Sequence, residues 1–133
     1  MKYYSISNDM EKPTWKRIDS LNSKPTPRWG HACCVINDEI LFFGGYAGTF
    51  LSIADSNYMN DLWVYHAIDR TWSEVATTGS RPSHRSNCSM NYDVKTNQVV
   101  VFGGGGPNKQ RFNTVNVLDW NTKEWKELNA REN

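Results

Sequence analysis

The chain repeats itself, and no other feature constrains its fold as tightly. Four landmarks recur in one order. An arginine-led segment, Arg28-Trp29-Gly30-His31-Ala32, returns 57 residues later as Arg85-Ser86-Asn87-Cys88-Ser89. An apolar run closed by a glycine pair, Ile40-Leu41-Phe42-Phe43-Gly44-Gly45, returns at an offset of 59 as Val99-Val100-Val101-Phe102-Gly103-Gly104. Asn60-Asp61-Leu62-Trp63-Val64-Tyr65 is matched by Asn113-Thr114-Val115-Asn116-Val117-Leu118. The last landmark, Trp-polar-polar-aliphatic, stands at Trp72-Ser73-Glu74-Val75, at Trp125-Lys126-Glu127-Leu128, and once more ahead of the first copy at Trp15-Lys16-Arg17-Ile18. Length changes fall in turn-like segments, where Asn37-Asp38 gives way to the longer Tyr92–Asn97. A repeat of this period is one supersecondary unit that cannot bury its faces alone and must stack on its neighbours.

Each copy reads as four short strands, here a to d. Strand a covers His31–Ile36 and Cys88–Tyr92, and strand b covers Glu39–Phe43 and Gln98–Phe102. Strand c covers Asp61–His66 and Thr114–Asp119, and strand d covers Thr71–Val75 and Glu124–Leu128. Asn37-Asp38, Asp69-Arg70 and Asn121-Thr122 supply turn chemistry between them. Apolar runs this short, crowded with β-branched and aromatic residues, disfavour helix. Strand b is apolar at successive positions, which predicts a strand covered on both faces. Strand c of the second copy alternates, with Val115 and Val117 on one side and Asn116 on the other. Strand d opens on Trp and turns polar, as an outermost strand should. Four-stranded sheets stacked around an axis make a β-propeller.

Arg-x-Gly-His, an apolar strand ending in Gly-Gly, Asn-Asp-Leu-Trp-Val-Tyr and a spaced Trp together resemble the kelch repeat, whose period is ~50 residues. The first copy carries Pro27-Arg28-Trp29-Gly30-His31, Gly44-Gly45, Tyr65 and Trp72. The second departs at Asn87 and Cys88, where Gly and His are usual, and at Leu118, where Tyr is usual. The resemblance implies an all-β fold, a partial kelch-type β-propeller of four-stranded antiparallel blades stacked side by side. Residues 1–20 are then the terminal strands of an incomplete blade, 21–78 and 79–129 one blade each, and 130–133 a tail. Gly30, His31, Gly44, Gly45, Tyr65, Trp72, Gly103, Gly104 and Trp125 are its structural residues. The glycine pairs serve backbone with positive φ or close approach of a neighbour, and His31 is expected to hydrogen-bond within its blade. Closing a ring takes ~4–8 blades. Further kelch blades are therefore expected as partners, supplied by self-association or by a longer chain.

Composition narrows the function classes. Leu, Ile, Val and Phe number only 26 of 133 residues, but six Trp and six Tyr add apolar surface, and the net charge is +1. With a pI of about 7.7 there is no global field for nucleic acid or an anionic membrane. No run approaches the ~18 apolar residues of a span, and the first residues lack a secretory apolar region. Three cysteines, two adjacent at Cys33 and Cys34, make no disulfide framework, so a reducing, cytoplasmic setting is expected. His31, Cys33, His84 and Cys88 have no metal-ligand spacing. The run Gly103–Lys109 lacks the Gly-Lys-Ser/Thr of a phosphate loop. Asp55–Asn60 starts like a calcium loop but has Met59 and Asn60 where an oxygen ligand and Gly are needed. No nucleophile elbow occurs. The expectation is no cofactor, no metal and no enzyme.

The loops are more informative. Strands alternate direction, so the d-to-a connections (19–30 and 76–87) and the b-to-c connections (46–60 and 105–113) emerge on one side, and all four are long. Binding concentrates on such loops. Arg28, Tyr46, Phe50, Tyr58, Arg81, His84, Arg85, Lys109 and Arg111 are expected to form a basic, aromatic face for a protein or an acidic peptide. Arg28 and Arg85 serve equally well as motif residues pairing within the sheet stack. The reading is a protein–protein interaction module, a scaffold or adaptor acting by rigid display. Its rival is part of a propeller enzyme, or of a metal-dependent propeller, whose centre lies in blades absent from this chain.

Overall fold

A computed structural model describes the backbone of residues 3–6 and, with side chains, residues 15–49 and 57–128. Strands β1 (Tyr3–Ile6) and β2 (Trp15–Ile18) form an antiparallel pair. Strands β3 (Ala32–Ile36), β4 (Glu39–Tyr46), β5 (Tyr58–His66) and β6 (Thr71–Glu74) make an antiparallel sheet in chain order. A second sheet is built the same way from β8 (Ser89–Asp93), β9 (Gln98–Phe102), β10 (Val115–Asp119) and β11 (Glu124–Leu128). The two-residue strand β7 (Thr78–Gly79) lies parallel on its outer edge. The tight turns close on Asn37, Arg70, Asn97 and Lys123, each with φ between 53° and 58°. Asparagine tolerates that left-handed backbone best among non-glycine residues.

The strands fall where the repeat predicts them to within a residue at their ends, with two larger differences. Strand β4 runs on through Gly44-Gly45 to Tyr46, and β5 begins at Tyr58 rather than Asp61. The glycines take φ of +64° and +103°, and the register shifts between Phe43 and Gly45. A bulge of this kind bends a strand without ending its pairing, so Tyr46 still pairs with Tyr58. The parallel strand β7 is the second difference, because a two-residue pairing leaves no periodicity to read.

The two sheets stack face to face. Leu41, Phe43, Leu62 and Val64 of the first meet Met90, Val99, Val101, Leu118 and Trp125 of the second in one buried cluster. The Phe43 and Trp125 rings lie 5.7 Å apart. Strand β3 packs alongside β8, so the innermost strands converge. Backbone bonds stitch the seam on its loop side. Gly45 N–H donates to Arg85 O at 2.9 Å, Arg85 N–H to Met59 O at 2.9 Å, and Asn87 N–H to Gly30 O at 2.7 Å. The fold is all-β, a stack of antiparallel sheets that forms part of a β-propeller.

Asn116 runs against the usual sense of polar alternation. It faces into the seam and is fully buried, while Val115 and Val117 face away from the first sheet. Its amide donates to Glu127 Oε2 at 3.4 Å and its oxygen accepts from Thr114 Oγ1 at 3.2 Å. Leu118 lies on that same face directly opposite Trp125. A one-residue slip of β10 that exposed Asn116 would turn Leu118 out of the core with it.

Candidate binding face

The first arginine of the repeat is drawn into the sheet. Arg28 donates Nε–H to Thr26 O at 3.0 Å and Nη1–H to Gly44 O at 3.0 Å. It also forms a two-pronged ion pair with Asp61, Nη2 lying 2.9 Å from Oδ2. Its side chain is 4% exposed. Burial works to raise the Asp61 carboxyl, but hydrogen bonds and charge from Arg28, with the Trp63 indole N–H at 2.7 Å, outweigh it and hold Asp61 below the usual carboxylate range.

The second arginine is buried further and paired less well. Arg85 donates to Ser83 O at 3.0 Å, Gly103 O at 3.1 Å and Thr114 Oγ1 at 3.3 Å. Its guanidinium carbon stands 4.0 Å above the Phe112 ring. Thr114 occupies the repeat position of Asp61, and among the described residues no carboxylate forms an ion pair with Arg85. Burial pulls its guanidinium below the usual value. Arg28 and Arg85 thus hold the loops in place from within the stack.

The remaining predicted contacts divide in three. Tyr46 is buried between Trp29 and Tyr58, with ring centroids 5.4 and 5.0 Å away. Phe50 lies outside the described residues. Tyr58 is half-buried, whereas Arg81, His84, Lys109 and Arg111 are exposed. Arg81 leans on Thr77 Oγ1 at 3.0 Å and Arg111 on Gln110 O at 2.9 Å. Among the described residues of these four loops the only carboxylate is Asp19, and Arg17 already pairs with it at 2.8 Å. Among the described residues of these loops the exposed cations thus have no unpaired carboxylate beside them.

The residues assigned to structure lie along the strands and the seam. The Trp72 ring packs 5.0 Å from both Tyr65 and Phe42. A Cβ on Gly44 would sit 2.6 Å from Arg85 O, and one on Gly104 2.7 Å from Ser86 O. Gly30, at φ +63°, leaves its carbonyl to Asn87. The His31 ring packs 5.3 Å from Phe42, and its Nδ1 is buried without a hydrogen-bond partner. Burial, then the charge of Arg28, keeps the imidazole below its ordinary value.

A groove of about 740 Å³ opens on this side, lined by Trp29, Tyr58, Phe102, Gly103, Arg111 and Phe112 among others. Phe102 and Phe112 were not expected at a surface. Their signal lay in the repeat itself, since they occupy the positions of Phe43 and Met59. Burial and neighbouring Cys33 push the Cys34 thiol up to about 11, which makes it a poor nucleophile at neutral pH. Among the described residues no cluster of His, Cys, Asp and Glu could hold a metal, and no helix is long and apolar enough to cross a membrane.

The KLHDC2/KLHL20/DRC7 Kelch-repeats domain matches residues 3–133, nearly the whole chain. The chain belongs to the kelch-repeat family. Acyl-CoA-binding domain-containing protein 5 of Arabidopsis thaliana is 31% identical over 117 residues, covering 88% of this kelch chain and 17% of that protein. Acyl-CoA-binding domain-containing protein 4 of the same plant is 28% identical over 112 residues, covering 84% and 16%. Kelch domain-containing protein 10 of Homo sapiens is 31% identical over 114 residues, covering 80% and 25%. The kelch chain thus spans between a sixth and a quarter of the length of these curated relatives. Kelch repeats are in general protein-interaction modules.

Proposed function

We propose that this chain is a non-catalytic adaptor whose loop side grips an acidic segment of a partner protein. The observation that carries the reading is the set of exposed cations Arg81, Lys109 and Arg111, on loops whose one described carboxylate is already paired. Arg28 and Arg85 contribute indirectly. They tie the loop ends to the glycine pairs, so the loops are ordered before a partner arrives and less entropy is lost on binding. Tyr58 and Phe112 offer flat apolar surface beside Arg111, the mixture of aromatic and arginine typical of interface anchors.

The test is fluorescence anisotropy with a labelled Glu-rich peptide and its Gln counterpart. The Glu peptide should bind more tightly, and binding should weaken as salt screens the exposed charges. A triple Arg81→Ala, Lys109→Ala, Arg111→Ala variant should lose most of the affinity while melting like the parent. Equal binding of both peptides, or an unaffected triple variant, sinks the reading.

A further inference from the structure

We propose that Thr114 is a phosphorylation site, modified by a protein kinase that reads the arginine three residues ahead of it, and that Arg85 receives the phosphate. The proposal goes beyond the acidic-partner reading and does not depend on it.

The repeat supplies the argument. In the first sheet three residues make a filled anion site. Arg28 reaches the Asp61 carboxylate with both prongs of its guanidinium, and the Trp63 indole N–H donates to the same carboxylate at 2.7 Å. The second sheet keeps the site and omits the charge. Arg85 stands at the position of Arg28, Asn116 at that of Trp63 and Thr114 at that of Asp61. Arg85 is 1% exposed. Its Nη1 lies 3.3 Å from Thr114 Oγ1. Among the described residues its Nη2 has no hydrogen-bond acceptor, whereas Nη2 of Arg28 carries one prong of the ion pair. A buried cation thus faces a hydroxyl where its counterpart faces a carboxylate. Glu127 stands nearby, exposed and bonded to the Asn116 amide at 3.4 Å. Its counterpart Glu74 holds the same place beside Trp63 without separating Asp61 from Arg28.

The hydroxyl is within reach of an enzyme. Residues 110–114 lie outside the named strands, with Gln110, Arg111 and Asn113 exposed and Thr114 half-buried. That half-open state belongs to the position and not to an uncovered flank, because Asp61 is 23% exposed although the second sheet covers its own. Arg111 precedes Thr114 by three residues and Lys109 by five, and kinases select substrates by such charge patterns. Ser20 and Ser73 also follow an arginine by three. Ser20 bonds Asn22 O and Ser73 bonds His66, and among the described residues neither bonds a buried guanidinium.

The step moves the γ-phosphoryl group of ATP to Thr114 Oγ1. The bond from phosphorus to the bridging oxygen breaks, the Oγ1–P bond forms, the hydroxyl proton passes to the kinase's base, and ADP leaves. The product carries about two negative charges and three acceptor oxygens, which give Arg85 Nη2 its acceptor. The hydroxyl proton now donated to Asn116 Oδ1 at 3.2 Å is lost. Turning the Asn116 amide replaces it with an N–H donated to the phosphate, the part Trp63 plays for Asp61.

Incubating the native full chain with ATP and an Arg-x-x-Ser/Thr-directed kinase tests this, the modified residues being placed by tandem mass spectrometry. Thr114 should carry phosphate in the native chain, and Thr114→Val should remove that label. The chain phosphorylated at Thr114 should melt above its unmodified parent. Its phosphorus NMR signal should titrate at lower pH in the folded chain than in urea, because a neighbouring guanidinium favours the dianion. A phosphate merely displayed at the surface would titrate alike in both. Arg85→Gln, compared with its own unmodified form, should erase the rise and the titration difference. If that variant does not fold, the titration of the parent decides alone. A native chain left unlabelled at Thr114, a melting midpoint that falls or stays, or an unshifted titration overturns the proposal.

Discussion

Two arginines at one repeat position show how a single neighbour sets the worth of a buried charge. Arg28 has Asp61 and Arg85 has Thr114. Replacing Asp61 by Asn strands a largely buried guanidinium and should cost about 3 kcal/mol in urea unfolding. Thr114→Asp should do the reverse and raise stability, because it places a carboxylate where Asp61 sits in the first sheet. Acid should show the same pair. The folded-state value of Asp61 lies below its unfolded one, so the unfolded chain binds the proton more readily. The pair's contribution is complete above the ordinary carboxylate value and is lost as pH falls through the lowered one. His31 acts at higher pH in the same direction. Its neutral folded form supplies stability that drains away as pH drops below the ordinary imidazole value of about 6.5. Unfolding curves of Asp61→Asn and His31→Gln should each be flatter with pH in the respective window. The sequence showed both arginines and their recurrence. It left open whether they point to a partner or into the stack, because that depends on which carbonyls the folded loops bring within reach. The fate of His31 was equally hidden, since a ring can pack on Phe42 and leave Nδ1 without a partner.

Strands were legible because each short apolar run ends in turn residues, and their order followed from the repeat. Their ends were less so. Gly44-Gly45 looked like a stop and is a bulge, since the bend it makes lets Tyr46 go on pairing with Tyr58. The glycine pairs also give a differential test. Gly44→Ala puts a Cβ into left-handed backbone, which costs ~1–2 kcal/mol, and also drives it against Arg85 O at 2.6 Å. Gly103→Ala carries only the first cost. The urea midpoint of the Gly44 variant should fall well below that of the Gly103 variant, and equal midpoints would mean that the seam yields to a methyl group.

The two sheets share one buried cluster, so they should melt as a unit. Trp125 is the largest member and bridges the seam to Phe43. Trp125→Ala should lower unfolding stability by ~3–5 kcal/mol, a large part of the ~5–15 kcal/mol of an ordinary domain, and circular dichroism should show one transition at a much lower temperature. Doubly apolar strand b predicts a neighbour on either side of each sheet. The first sheet has its neighbour at Phe43, whereas the second holds Phe102 half exposed and Leu128 at 53%. How many blades complete the object is beyond a single sequence, because the pattern specifies each contact and not the rotation that accumulates over many.

The outer rim is shut by other means. In the second sheet Thr78-Gly79 lies along β11, and Ser80 N–H reaches Trp125 O at 2.9 Å. In the first, the Asn22 side-chain amide stands in for a strand, donating to Trp72 O at 2.6 Å and accepting from Trp72 N–H at 2.8 Å. Bare sheet margins are templates for fibrils. Here the connecting chain doubles as selvedge, so a stranger's β-segment meets outer-strand amides that are already claimed at Trp72 and Trp125.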